Sequence, residues 1–529
     1  MAKRRLSALF LAAAAALTLF SGCGSSADAP ENGSDSVDSS SPGQAITEKK
    51  AADSIFSVNY DPEKSLNPIR ADSSTNMQFW SLMYDEIFTV HSDYTFTSDV
   101  ITAYTTEDNV WWVFNVDTTI PFTDGTTLTA HDIVYSIRQA QQREYYSQRL
   151  SVIYGVSAMG DDTFAITTKY ADSSLPALLN IPIIKSGSIS EDVPAGTGPY
   201  RLSEEGDRLV VFEQNRKAGG LPVDTIYLKS YMDTAEKIAA FEDAYIDIVT
   251  NDPTGMYNLG YGSSNETRYY DTTNMHFLGF NFTGTFFQTA AARYAINYII
   301  DRSEIVDNYL SGCAVETVLP ILPSNELYDQ SYASKFSYDP ERCLSLLTSN
   351  AGVSDYDEDG ELEFRVTGIV VETNIDFIVN SDSTAKVRAA RRIAEDLNSI
   401  GINTTLRELS WNDYVTALQE GDFDMYYGEI RLTADWNLSY LFEEKGSMNY
   451  ANCSDTSYTD LYLAFLAASG GERKQAFDDA SRYLVENAGI IPICFERRQL
   501  LTHRGVVSGV SPTQYDIFSG IENWTIDLT

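Results

Sequence analysis

Positive charge is what this chain lacks most. Its 529 residues carry 37 Lys and Arg against 75 Asp and Glu, a formal net charge of −38. So acidic a chain is repelled by phosphate backbones and anionic headgroups, which argues against nucleic acid or a charged membrane surface as a partner. Histidine is nearly as scarce: His91, His131, His276 and His503 are scattered and form no ligand set. Cysteine is rare too. Beyond Cys23 there are only Cys313, Cys343, Cys453 and Cys494, too widely separated for metal spacing. They are open to three disulfide pairings or to life as free buried thiols. Long apolar runs are also missing; the one between Leu9 and Phe20 is too short to span a bilayer. Without a nucleophile elbow, a spaced Ser, His and Asp set, or a metal cluster, the chain offers no catalytic machinery and is expected not to be an enzyme. What is present is ordinary for a water-soluble body: 43% hydrophobic and 21% charged residues, and length for two or more domains.

The first residues look like an export signal. Lys3, Arg4 and Arg5 precede the apolar run, and Phe20-Ser21-Gly22-Cys23 follows it. Small residues before a Cys in that position form a lipobox, although Leu is more usual where Phe20 stands. Residues 1–22 are therefore expected to be removed and Cys23 to carry diacylglycerol. Residues 23–50 are rich in Ser, Gly, Asp and Pro, as a flexible tether is. The body beyond them would be anchored by lipid alone, on the extracellular face of the cell membrane.

Five strings organise the rest. Ser65-Leu66-Asn67-Pro68 follows an expected strand and leads into a helix, where Ser74 and Thr75 are either caps or ligand contacts. PFTDGTTLTAHDIVYSI, from Pro121, joins an Asp-Gly turn to a helix with Thr129 and Asp132 in capping-box spacing. Gly196-Thr197-Gly198-Pro199-Tyr200 is a rigid turn into a strand; no helix follows, so it is not a phosphate loop. From Phe277 a buried strand ends in Phe280-Asn281. A helix is then expected to carry Ala291, Ala295, Tyr298, Ile299, Ile305 and Tyr309 on one face, closed by Gly312. Val387 to Ile400 is an amphipathic helix between two expected strands, then Trp411 to Glu420 is a helix stopped by Gly421, and Phe423 to Tyr427 a strand. Thr225–Lys229, Thr234–Asp243 and Ile246–Ile248 give a strand, helix and strand, hence a parallel pair. Asp355-Tyr356-Asp357-Glu358-Asp359-Gly360 opens like a calcium loop, but its twelfth position is Val366 rather than Glu, so an acidic turn without metal is the expectation.

Taken in order, these strings resemble the family 5 extracellular solute-binding proteins of bacterial ABC importers, over nearly all of residues 53–529. The resemblance implies a two-lobed α/β, periplasmic-binding-protein-like fold of the type II, peptide-binding cluster, with a hinge. The first lobe would be 51–278 plus 496–529, with an extra subdomain at about 84–184. The second would be 279–495. It implies capture of di- or oligopeptides in the interlobe cleft by a monomer, delivery to a permease with its ATPase subunits, and no cofactor. In peptide-binding members an Asp after the late strand pairs with the ligand ammonium. That role carries over to Asp435 in Ala434-Asp435-Trp436-Asn437, although Leu438-Ser439 departs from the family pattern. Asn281 and Tyr440 are further candidate contacts. Arg431 would meet a ligand carboxylate or pair with Glu429 or Asp435, and Trp436 would floor a side-chain pocket or join the core. Non-peptide solutes (metal chelates, haem, sugars, opines) and a peptide-sensing role are the alternatives within the same fold.

Overall fold

The computed structural model describes residues 51, 53–254, 265–284, 286–366, 368–444, 446 and 448–529. Cys23, the expected signal segment and the tether lie outside them. Among the described residues no helix is long and apolar enough to cross a membrane.

Two buried apolar cores stand side by side. One gathers Phe56, Ile69, Phe79, Phe114, Ile137, Ile226 and Trp524; the other gathers Phe280, Ile299, Leu322, Ile393, Tyr462 and Leu484. A mixed sheet of eleven strands runs through both. Its centre is formed by two long antiparallel strands, Asn265–Phe280 and Ile490–His503. Sixteen residues of strand reach about 50 Å, enough to traverse both cores. Tyr270 and Leu500 lie in the first core, Met275, Phe277 and Phe495 in the second. The pairing register slips between Asp271 and Met275 and again at His276. Such irregularities bend a strand and weaken its ladder locally, and here they fall where the chain passes from one core to the other.

On the first side Phe56–Asn59 lies between Thr225–Lys229 and Ile248–Asn251, parallel to both. The latter two were expected as neighbours; they are parallel, but the N-terminal strand occupies the place between them. A separate antiparallel sheet, ordered Ile101–Thr106, Trp111–Val116, Thr163–Thr168 and Ile153–Ala158, forms a layer of its own beside this side. Helix Ala130–Ala140 packs on it, and its Thr129–Asp132 capping box is formed, the Thr129 amide donating to Asp132 at 2.9 Å. Gly196 and Gly198 press on the chain at Leu82–Tyr84: a Cβ on Gly198 would lie 2.4 Å from a backbone carbon of Met83.

On the second side Asn374–Asn380, helix Thr384–Ser399 and Asn403–Leu409 form a parallel βαβ unit, and helix Trp411–Glu420 leads into Met425–Arg431 beside it. Gly421 ends that helix in the left-handed region at φ 72°, open to glycine without strain. The helix expected from Ala291 to Tyr309 is broken instead. It runs Ala290–Ile296 and restarts at Arg302, because Asp301 accepts the Glu304 amide and caps a new turn. Gly312 follows at φ 70°. All four described cysteines are buried free thiols.

Candidate ligand-binding site

The strand Met425–Arg431 pairs with the second-core end of the long strand, and Arg431 stands opposite Asn274, at the passage between cores. Beyond it the chain remains tied there. The Leu432 amide donates to Thr273 O at 3.0 Å, and the Thr273 hydroxyl returns a bond to Leu432 O. Residues 433–437 then wedge between the lobes. Ala434 packs against Val90 and Ala177 of the first side. Trp436 lies 4.8 Å from the Tyr94 ring of the first side and 6.1 Å from Phe495 of the second. It is 2% exposed and sits at φ 60°. A bulky residue held in the left-handed region carries about 1–3 kcal/mol of strain, the kind of local cost that collects at functional sites.

Asp435 is 3% exposed. Its Oδ1 accepts from the Thr433 hydroxyl and from the Asn437 amide. Asp172, brought from the first side, is fully buried; its one bonded oxygen accepts from the Ser174 amide at 2.8 Å and its Oδ2 has no partner among the described residues. Burial, and then the charge of Asp435, push the Asp172 carboxyl up to about 8. Burial raises Asp435 as well. The facing cation is Arg473. It spends its donors on the Ser173 and Ser174 hydroxyls at 2.7 Å and makes no salt bridge with either carboxylate among the described residues. Tyr170 accepts from Asn437 Nδ2 at 3.3 Å, and the buried Tyr440 hydroxyl has no partner among the described residues. Two buried carboxyl groups therefore share one cation, with acceptor and donor positions still free around them.

A second feature opens over the long strands. A cavity of about 630 Å³ is lined by His91, Tyr94, Tyr270, Asp271, Arg497, Gln514 and Tyr515, among others. Tyr94 is thus shared between its wall and the Trp436 wedge. Asp271 and Arg497 pair at 2.6 Å. Arg431 is exposed, and its guanidinium stands 5.9 Å from the Tyr145 ring. It pairs with neither Glu429 nor Asp435: Lys386 takes Glu429.

Behind the passage lies a closed polar network. His276 is fully buried; it contacts Glu496 through Nε2 and Tyr427 through Nδ1, each at 2.9 Å. Burial opposes charge on the imidazole, yet its neighbours Tyr427, Cys494 and Glu496 hold its pKa well above the ordinary value. Asn274 donates to both Glu429 and Glu496. His276, Glu429 and Glu496 are close enough to share an ion, but their donor atoms already serve one another, Asn274 and Lys386.

Asp435 and Tyr440 lie close enough to influence each other and Trp436 follows Asp435 directly, whereas Arg431 stands apart against Tyr145. The structure places Asn281 elsewhere, six residues past Met275 and roughly 20 Å along the strand. Its amide donates to Gly421 O and Phe423 O, and its Oδ1 accepts from Thr283, so it locks a turn. Near Ser74 and Thr75 the capping oxygen is that of Ser73, which accepts from the Asn76 amide. Among the described residues no hydrogen bond joins Ser74 or Thr75 to the 431–440 segment. Sequence reasoning missed Asp172, Arg473 and Tyr94. Asp172-Ser173-Ser174 resembles any turn, and only the tertiary fold gives it Asp435 as a neighbour.

The fold is that of a two-lobed α/β protein, with a buried polar cluster where its two cores meet. A profile of the bacterial extracellular solute-binding proteins, family 5 (middle region), matches residues 95–454, and the chain belongs to that family. An oligopeptide-binding protein, AppA, of Bacillus subtilis (strain 168) is 24% identical over 345 residues, covering 60% of this chain and 61% of its own. The chain thus spans about three fifths of that relative's length. Heme-binding protein A of Haemophilus influenzae (strain ATCC 51907 / DSM 11121 / KW20 / Rd) is 21% identical over 443 residues, 76% of this chain and 78% of its own. The unliganded open form of the periplasmic murein tripeptide-binding protein MppA superposes with a TM-score of 0.72 at 15% identity, covering 91% of this chain and 99% of that one.

Proposed function

We propose that this protein is the solute-capturing component of an ABC importer, that it closes its two lobes around di- or oligopeptides, and that it hands them to a membrane permease driven by ATPase subunits. The observation that carries the peptide reading is the pair Asp435 and Asp172. Two buried carboxyl groups from opposite lobes face the Arg473 guanidinium, with Asp172 Oδ2 and the Tyr440 hydroxyl unpartnered among the described residues. A ligand ammonium supplies the missing positive charge and three donors. Because the acids come from different lobes, the ligand bonds the lobes to each other and favours the closed state. The register slips of the long strands are where the lobes would turn. Arg431, without a carboxylate partner of its own among the described residues, is placed to receive a ligand carboxylate. Trp436 and Tyr94 would floor the pocket for a ligand side chain. The protein acts as a monomer, held by lipid on Cys23 at the extracellular face of the membrane.

The test is a thermal-shift panel on the purified protein, with di- to octapeptides set against haem, a metal–amino-acid chelate, an oligosaccharide and an opine. A ligand at 100 times its Kd stabilises by about 2.7 kcal/mol. Shifts with peptides are expected. Shifts confined to a non-peptide solute would keep the fold and remove the peptide assignment.

A further inference from the structure

We propose that the turn from Asp355 to Glu363, whose neighbours Val353, Leu362 and Phe364 pack in the second core, is a calcium site. Asp355, Asp357 and Asp359 occupy positions one, three and five of a loop whose sixth residue is Gly360 at φ 96°. That is the opening of an oxygen-ligand loop, with the glycine that its sharp turn requires. Position twelve, where such loops place a bidentate acid, is Val366. The fold supplies a substitute: Glu363, at position nine, turns inward from the first residue of the strand Glu363–Val366, and its carboxylate lies within 4.8 Å of the three aspartate oxygens.

Glu363 makes the site more than a patch of surface acid. It is 1% exposed, and its Oε1 has no hydrogen-bond partner among the described residues; its other oxygen accepts from the Tyr356 amide at 2.6 Å. An oxygen of Asp355 is likewise buried and bare. A buried carboxylate with an empty oxygen, facing three more carboxylates, is unfavourable unless a cation joins them. Among the described residues none is provided: no salt bridge reaches any of the four, and the nearby Arg365 lies over the Tyr356 ring at 4.6 Å. Across the ladder Glu363 faces another acid, Glu372.

The donor set chooses the ion. Four carboxylates and no nitrogen or sulfur select a hard cation over zinc or copper. An irregular cage of carboxylates on a turn and a strand suits calcium, which accepts six to eight oxygens flexibly; magnesium demands a near-ideal octahedron and keeps its waters. The ion would pin the turn to its strand. Through the Leu362 amide, which donates to Gly401 O at 2.7 Å, it would also pin both to the end of helix Thr384–Ser399.

The experiment compares thermal unfolding of the purified, chelator-treated protein with and without calcium, alongside terbium luminescence excited through tyrosine. Binding in the range of extracellular modules, a Kd of about 10⁻⁴–10⁻³ M, is expected. Calcium should raise Tm and displace terbium. The exposed-loop variant Asp357→Asn/Asp359→Asn should fold normally and lose calcium affinity by about tenfold or more. Glu363→Gln removes the bare buried charge; it should raise the calcium-free Tm and abolish the calcium response. No terbium emission, an undiminished calcium response in either variant, or an equal Tm rise from magnesium would overturn the proposal.

Discussion

The Asp172–Asp435 pair makes a measurable demand on protons. With Asp172 pushed up to about 8 by burial and by Asp435, the ligand-free protein holds a proton there at pH 7 that the unfolded chain, titrating near 4, does not. The folded state therefore binds more protons across that interval. Stability from this group must fall as pH rises from about 4 to about 8, by about 1.4 kcal/mol per pH unit, and then level off. Bringing an ammonium between the carboxylates expels the proton. Peptide binding at pH 7 should thus release close to one proton, and affinity should climb with pH until the peptide amine itself deprotonates near 8. Calorimetry in buffers of different ionisation enthalpy counts the proton directly. Asp172→Asn should flatten the stability slope and remove the proton release. Asp435→Asn should relieve the repulsion on Asp172, so that at pH 8.5 the ligand-free variant is no less stable than the parent. Binding that moves no proton, or an Asp172→Asn variant with an intact slope of stability against pH, would refute a raised Asp172 carboxyl at the peptide site.

Other perturbations separate the remaining roles. Arg431→Gln should weaken peptides with a free C-terminal carboxylate and leave amidated ones unchanged, as isothermal titration would report. Trp436→Ala removes the ring that bridges Tyr94 and Phe495; it should cost about 3–5 kcal/mol in urea unfolding. The raised pKa of His276 and the lowered pKa of Glu496 give their contact a pH window. It contributes fully from above the ordinary carboxylate range up to about 6.5, is lost as pH falls through the Glu496 value, and is lost as pH rises through the raised His276 value. His276→Gln should erase that dependence. Gly198→Ala forces a Cβ into the Met83 backbone and should cost about 1–3 kcal/mol or more in the same assay.

What could be read in the sequence was what is local. The helix Thr384–Ser399 announced itself by Val387, Ala390, Ile393, Ala394 and Leu397 at helical spacing, all buried on one face. The capping box at Thr129 and the stop at Gly421 are likewise properties of a few adjacent residues. The segment 290–309 misled because apolar spacing continued through Asp301, whose capping power breaks the helix without disturbing the pattern. Asp435 and Trp436 were marked by their string; Asp172 and Arg473 were not, because their meaning arises only when chain segments far apart meet between the lobes. In the acidic turn the sequence shows only a loop that lacks its twelfth ligand. Periodicity gave no sign that Glu363 turns inward to stand beside the three aspartates.

The most direct test of the central claim is calorimetry with one tight-binding peptide and its N-acetylated form, on the parent protein and on Asp435→Asn. Removing one member of a buried charge pair costs about 2–5 kcal/mol, roughly 30-fold to a few thousand-fold in affinity. The expected result is a loss of that size from acetylation in the parent, a similar loss from the substitution, and little further loss when both are combined. Equal binding of the free and acetylated peptides by the parent protein would contradict the assignment of Asp435 as the ammonium receptor.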